Sequence, residues 1–108
     1  MTTFDEREKA FEKKYEHDQD LQFKATARKN KLLGLWAAGL MGKSGTDADD
    51  YAKEIVIADL EKPGDADVVD KLVKDLAAAG KPTEAHTIRK QAERLLAEAK
   101  AQIMKETR

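Results

Sequence analysis

Cysteine is absent from this chain of 108 residues, and histidine occurs only at His17 and His86. Without cysteine, neither disulfide bonds nor thiolate metal sites can hold the fold together. Neither histidine has a second one three or four residues away, so the helical histidine pair that binds zinc is missing. The acidic residues do not follow the pattern of an EF-hand loop. We therefore expect no metal site and no obligatory cofactor.

Long apolar runs are also absent: no stretch of eighteen apolar residues could cross a membrane. The N-terminus lacks the basic and then apolar pattern of a secretory signal. We expect a soluble, cytoplasmic protein without direct membrane insertion. The formal net charge is −1 at pH 7, and this balance gives no indication of nucleic-acid binding.

Catalytic motifs are equally scarce. Gly42, Lys43 and Ser44 look like the end of a phosphate-binding loop, but the glycine required five positions earlier is Ala37. Such a loop follows a buried strand, whereas these residues follow a predicted helix. Ser44 also lacks the glycine elbow of a nucleophilic serine. The sequence therefore does not predict an enzyme.

Charged residues are abundant, at 38% of the chain, and they alternate with apolar residues at helical spacing. No strand pattern occurs. Gly42, Gly80 and Pro63 mark helix ends. Short connections favour an all-α four-helix bundle with antiparallel neighbours. The first helix is either continuous or broken within residues 17–22, and the predicted helices are 3–41, 47–61, 65–79 and 83–105.

Trp36, the only tryptophan, is expected to anchor the core, so that Trp36→Ala would cost about 3–5 kcal/mol. Gly34 and Gly39 weaken the same helix unless another helix packs closely against them. The remaining core is predicted from apolar residues at helical spacing. Those expected to pack together with Trp36 are Leu33, Leu40, Val69, Leu72, Val73, Leu76, Ile88, Leu95, Leu96 and Ile103.

The N-terminal segment carries a narrow stripe of three aromatics, Phe4, Phe11 and Tyr15, on an otherwise charged helix. Asp18 and Gln22 stand where apolar residues should continue the stripe. Isolated helices of this length are marginal in water. Two interpretations remain open: the segment packs weakly on the bundle, or it waits for a partner as a helix-in-groove ligand.

Residues 21–43 contain five bases and no acid. The simpler interpretation is a solvated face that pairs with the acidic helices of residues 47–75. The functional interpretation is binding of a phosphate-bearing ligand or an acidic partner surface. The bases Arg28, Lys29 and Lys31 form the densest part of this block.

Two segments, TFDEREKAFEKKYEHD at 3–18 and RKNKLLGLWAAGLMG at 28–42, closely resemble the zeta subunit of alphaproteobacterial ATP synthases. The resemblance covers essentially the whole chain, although the C-terminal helices match mainly in pattern. It implies a four-helix bundle that inhibits ATP hydrolysis by the synthase. The inhibitory element would be an N-terminal helix, as in the mitochondrial ATPase inhibitor.

On this resemblance, residues 1–20 would be the inhibitory helix and residues 21–108 the four-helix bundle domain. The helix would insert between catalytic subunits of the head, whose partners are the alpha, beta and gamma subunits, at the cytoplasmic face of the inner membrane. Loose docking or mobility of this helix in the free protein is expected. Its partner-binding residues would be Phe4, Glu6, Arg7, Phe11, Glu12, Lys13 and Tyr15.

The resemblance also implies ADP or ATP as a regulatory ligand. By charge, the predicted nucleotide-binding residues are Arg28, Lys29, Lys31 and Trp36. An alternative is a nucleotide-sensing helical module that does not act as a wedge. Composition alone would suggest a plain structural helix bundle.

Overall fold

This computed structural model describes residues 3–106, with side chains from residue 6 onward, and all regular secondary structure in that range is α-helical. The predicted helices are confirmed within a few residues. The first is broken at Asp18, inside the interval considered from the sequence. The helices are α1 (Thr3–His17), α2 (Gln19–Leu40), α3 (Gly45–Glu61), α4 (Asp65–Ala78) and α5 (Ala85–Glu106).

Helix α2 lies at the centre, since it packs against α1, α3, α4 and α5. Burial of the apolar faces of α2–α5 is the main stabilising contribution of the fold. Most of the predicted core is confirmed, and small residues of α2 complete it. The main cluster consists of Leu33, Ala37, Ala38, Tyr51, Ile55, Val68, Val69, Leu72, Leu76, Ile88 and Leu95.

Helix α3 packs tightly against α2 at Gly34. A Cβ added there would lie 2.7 Å from the Cα of Ala52. Glycine is therefore required at this position, as the sequence suggested for a glycine facing another helix. Gly39 differs, because nothing lies within 4 Å of an added Cβ.

The ends of α2 and α4 are set by glycines in the left-handed region, as predicted. Gly42 has φ of 82° and Gly80 has φ of 78°. Lys43 N–H donates to the Ala38 carbonyl at 2.9 Å, and Lys81 N–H donates to the Leu76 carbonyl at 2.8 Å. These bonds satisfy carbonyls that the helix ends leave open.

Trp36 packs against the main cluster, as predicted, but it is only partly buried and so is not the central anchor of the core. The prediction that Leu40 packs in the core is wrong. Leu40 is 39% exposed, since it is the last residue of α2 and no helix packs beyond it.

Ile103 and Leu96 were expected in the same core but lie in a second cluster. Ile103 is fully buried there against Leu21 and Ala25 of α2. Leu96 packs against the same group. The long α5 thus contributes its first half to the main core and its second half to a satellite cluster that α1 covers.

A buried tyrosine joins α3 to α4. The Tyr51 hydroxyl donates to Oδ2 of Asp75 at 2.7 Å, and Lys71 Nζ lies 3.0 Å from the same oxygen. Burial, together with the bond to Asp75, raises the pKa of Tyr51 far above its ordinary value. The hydroxyl therefore stays protonated and keeps donating.

Candidate functional site

Helix α1 lies on the satellite cluster through two aromatics. Phe11 and Tyr15, spaced four residues apart, are half-buried against Leu21, Ala25 and Ile103. Their spacing places both side chains on one face of the helix. This face carries two residues of the aromatic stripe that the sequence analysis assigned to partner binding. In the free chain the face packs against α2 and α5.

The polar residues predicted to bind a partner make few contacts with the other helices. The side chains of Glu6, Arg7 and Lys13 are exposed, and Glu12 is half-exposed. Phe4 lies outside the described side chains. A partner could therefore reach most of the charged face of α1 without displacing anything.

Lys100 of α5 holds α1 at two points one turn apart. Its Nζ lies 4.0 Å from the centroid of the Tyr15 ring and 3.6 Å from Oε2 of Glu12. The lysine side chain is only 22% exposed, so the interaction with the ring is strengthened by partial desolvation. Sequence reasoning missed Lys100, because nothing in the heptad pattern of α5 indicates which charged residue faces α1.

Asp18 and Gln22, which interrupt the aromatic stripe, form the junction between α1 and α2. Asp18 is extended (φ −109°, ψ 103°), and its Oδ1 accepts from the Leu21 N–H at 3.1 Å as the N-cap of α2. Gln22 Nε2 donates to the carbonyls of Tyr15 (2.8 Å) and Glu16 (3.2 Å). Asp18 therefore caps the start of α2, and Gln22 binds carbonyls at the end of α1.

Arg28, the first predicted nucleotide-binding residue, already holds a carboxylate. Its guanidinium donates to both oxygens of Glu106, at 2.7 and 2.9 Å, and to Oε1 of Gln102 at 3.0 Å. This bidentate pair holds the pKa of the Glu106 carboxyl below its ordinary value. Arg28 thus joins α2 to the end of α5.

The other predicted nucleotide-binding residues lie elsewhere. Lys29 is 6% exposed and pairs with Asp65 at 3.1 Å, which is the pairing with the acidic helices that the simpler interpretation expects. Lys31 is exposed and faces a groove beside α3. Arg28, Lys29 and Lys31 each have different neighbours, so they do not converge, and Trp36 is just over two turns beyond Arg28.

A cavity of about 190 Å³ lies beside Lys29, between α2, the start of α4 and the middle of α5. Arg89 brings a second base to its wall, and Asp65 and Glu93 bring two acids. Over the described residues, Arg89 makes no hydrogen bond or ion pair. Sequence reasoning did not find Arg89, because it is 60 residues from Lys29 in the chain. The apolar floor consists of Leu33, Val68, Val69, Ala92 and Leu96.

Two further properties concern residues 3–106 only. None of the described helices is long and apolar enough to cross a membrane. Within the same part of the chain, no group of three or more His, Cys, Asp or Glu residues is placed to hold a metal ion.

A helical core that carries a charged helix with half-buried aromatics is typical of proteins that act by binding other proteins. The model of the ATPase inhibitor subunit zeta family matches residues 1–102, and the chain belongs to that family. A chain solved by solution NMR is 48% identical with a TM-score of 0.70, and the match covers 80% of this chain and 98% of that one. No curated protein matches the chain.

Membership of this family supports a role as an ATPase inhibitor and implies the ATP synthase as partner. It also favours a regulator without catalytic activity of its own.

Proposed function

We propose that this protein inhibits ATP hydrolysis by inserting α1 between catalytic subunits of the ATP synthase head, among its alpha, beta and gamma subunits. Residues 21–108 act as a four-helix bundle that carries the inhibitory helix. The protein then works at the cytoplasmic face of the inner membrane, where the synthase holds it. The family match supports the inhibitory role, and the separate position of α1 supports the wedge.

The observation that carries this proposal is the incomplete burial of α1. Phe11 and Tyr15 are only half-buried in the free chain, and completing the burial of both in a complex would contribute about 1.5–3 kcal/mol in total. Reordering a segment on binding costs about 2–5 kcal/mol. Polar contacts must supply the difference, and the exposed Glu6, Arg7 and Lys13 are placed to make them.

The proposed function is tested by ATP hydrolysis with purified cognate synthase at increasing concentrations of the full-length chain. Hydrolysis should fall to a plateau at saturation. Hydrolysis by an unrelated ATPase serves as the control and should stay constant, which separates inhibition of the synthase from sequestration of nucleotide. Unchanged hydrolysis by the synthase at a large excess of the chain would contradict the proposal.

ADP or ATP is proposed as a modulating ligand, bound beside Lys29, one of the bases of α2 predicted to bind it. Two observations favour a site that includes the cavity beside Lys29: its apolar floor, and Arg89 on its wall, which pairs with none of the described residues. Phosphates are recognised by arginine through several N–H donors at once. A nucleotide-sensing module without a wedge is the alternative function, and it would use the same cavity.

Nucleotide binding is tested by NMR titration with ADP at low and high salt. Arg89→Ala is expected to weaken binding and to reduce its salt dependence, because a screened cation–phosphate interaction is lost. Lys31→Ala is the matched control for a site at the cavity, since Lys31 lies on another face of α2. If Lys31→Ala weakens binding and Arg89→Ala does not, the site is on the α3 side instead.

A further inference from the structure

Phe11, Glu12 and Tyr15, three of the residues of α1 that a partner would need, are held by the rest of the chain. Lys100 contacts Tyr15 and Glu12, and the satellite cluster covers one side of Phe11. A side chain cannot make these contacts and bury itself in a partner at the same time. The docked and the inserted positions of α1 are therefore mutually exclusive.

The interface between α1 and α5 is incompletely packed. A groove of about 260 Å³ runs between the two helices, lined by Glu8, Phe11 and Glu12 on one side and by residues between 93 and 104 on the other. Because the groove is open to solvent, α1 buries less apolar area against α5 than a closed interface would. Polar contacts consequently carry a larger share of the attachment of α1 than they would in a well-packed core.

The junction at Asp18 allows α1 to move without unfolding α2. Asp18 is the one non-helical residue between the two helices, and hinges are commonly a few such residues that absorb changes in φ and ψ. The cap that Asp18 provides to α2 is local to α2. A change of backbone angles at Asp18 would reorient α1 and leave the main core intact.

From these contacts we infer that Lys100 is a latch that keeps α1 in a docked, self-inhibited position and thereby sets the concentration at which the protein inhibits. The inference rests on the proposed function, because the latch matters only if α1 is the inhibitory element. A protein whose competent state is a minor fraction binds more weakly by that fraction. Loosening the latch should therefore strengthen inhibition.

The test uses the full-length chain with Lys100→Gln, which removes the charge and keeps most of the side-chain length. Amide hydrogen exchange in residues 6–17 should become about five- to thirtyfold faster, the combined effect expected of one cation–π contact and one ion pair. The half-inhibitory concentration for ATP hydrolysis should fall by a similar factor. Lys100→Arg should restore both values to near those of the natural chain.

Lys105→Gln is the matched control, because Lys105 lies on the same helix and makes no hydrogen bond or ion pair among the described residues. It should leave exchange and inhibition unchanged. Added salt should speed exchange of α1 in the natural chain and have less effect on Lys100→Gln, since screening weakens the same ion pair.

Three results are decisive. Unchanged exchange of α1 in Lys100→Gln would show that Lys100 is not a latch, whatever happens to inhibition. Faster exchange with unchanged or weaker inhibition would show that release of α1 does not limit inhibition, which overturns the inference. Failure of the proposed function itself would look different, because the natural chain would then not inhibit at all.

Discussion

Removal of residues 1–17 is expected to abolish inhibition of ATP hydrolysis and to leave a folded protein. Among the side chains described from residue 6 onward, none of α1 belongs to the main cluster, and Asp18 remains to cap α2. The truncation uncovers Leu21, Ala25 and Ile103, and it removes two half-buried aromatics whose combined contribution is about 1.5–3 kcal/mol. The truncated chain should therefore melt at a lower temperature but still cooperatively.

Melting and ATP hydrolysis should be measured on the same preparation of the truncated chain. A full-length variant with Phe11→Ala and Tyr15→Ala is the matched control, because it keeps the charges of α1 and loses the aromatic stripe. It should also inhibit poorly if the aromatics anchor the wedge. Full inhibition by the truncated chain would show that α1 is not the inhibitory element, and loss of cooperative melting would show that α1 belongs to the core.

The helices could be predicted from the sequence because their determinants are local. Gly42 and Gly80 end helices through their own φ angles, and the apolar spacing of α4 places Val69, Leu72 and Leu76 on one buried face. The role of Gly34 was foreseen only in part. The sequence indicated that a helix must approach it, but only the fold shows that α3 does so, at Ala52.

The contacts of the candidate site could not be predicted, because they join residues far apart in the chain. Arg28 meets Glu106 only because the second half of α5 lies beside α2. Lys100 reaches Tyr15 for the same reason. A block of bases in the sequence indicates local charge density, whereas the direction of each side chain depends on how the helices are arranged around α2.

Asn30 is a buried polar residue that joins two helices. It is 1% exposed, and its Nδ2 donates to Oδ2 of Asp59 at 3.0 Å. The other carboxylate oxygen of Asp59 accepts from the Gly64 N–H at 3.3 Å. Asn30 thus ties α2 to the end of α3 and, through Asp59, to the turn that leads into α4.

Asn30→Asp is expected to destabilise the protein by about 3–5 kcal/mol at pH 7, the cost of an uncompensated buried charge. The change is nearly isosteric, but it replaces the donor by a carboxylate that faces the carboxylate of Asp59. This loss is a large part of the total stability of about 5–15 kcal/mol typical of such domains. Urea denaturation followed by circular dichroism would measure it.

The pH dependence of this loss has a definite sign. Burial and the neighbouring carboxylate both favour the protonated form of the introduced carboxyl, so its pKa is raised in the folded state. The folded state then binds more protons than the unfolded state, and its stability increases as pH falls from 7 toward 5. A loss of stability that is independent of pH would show that shape, and not charge, is responsible.

The double variant Asn30→Asp with Asp59→Asn provides the sharpest control. It restores one amide and one carboxylate, with the donor now on α3 and the acceptor on α2, and it keeps an oxygen at position 59 for the Gly64 N–H. Part of the lost stability should therefore return, because the repulsion between two carboxylates is removed, although one oxygen at position 30 still lacks a donor. If the double variant is as unstable as the sum of the two single changes, the two positions are not coupled, and the hydrogen bond between Asn30 and Asp59 does not join α2 to α3.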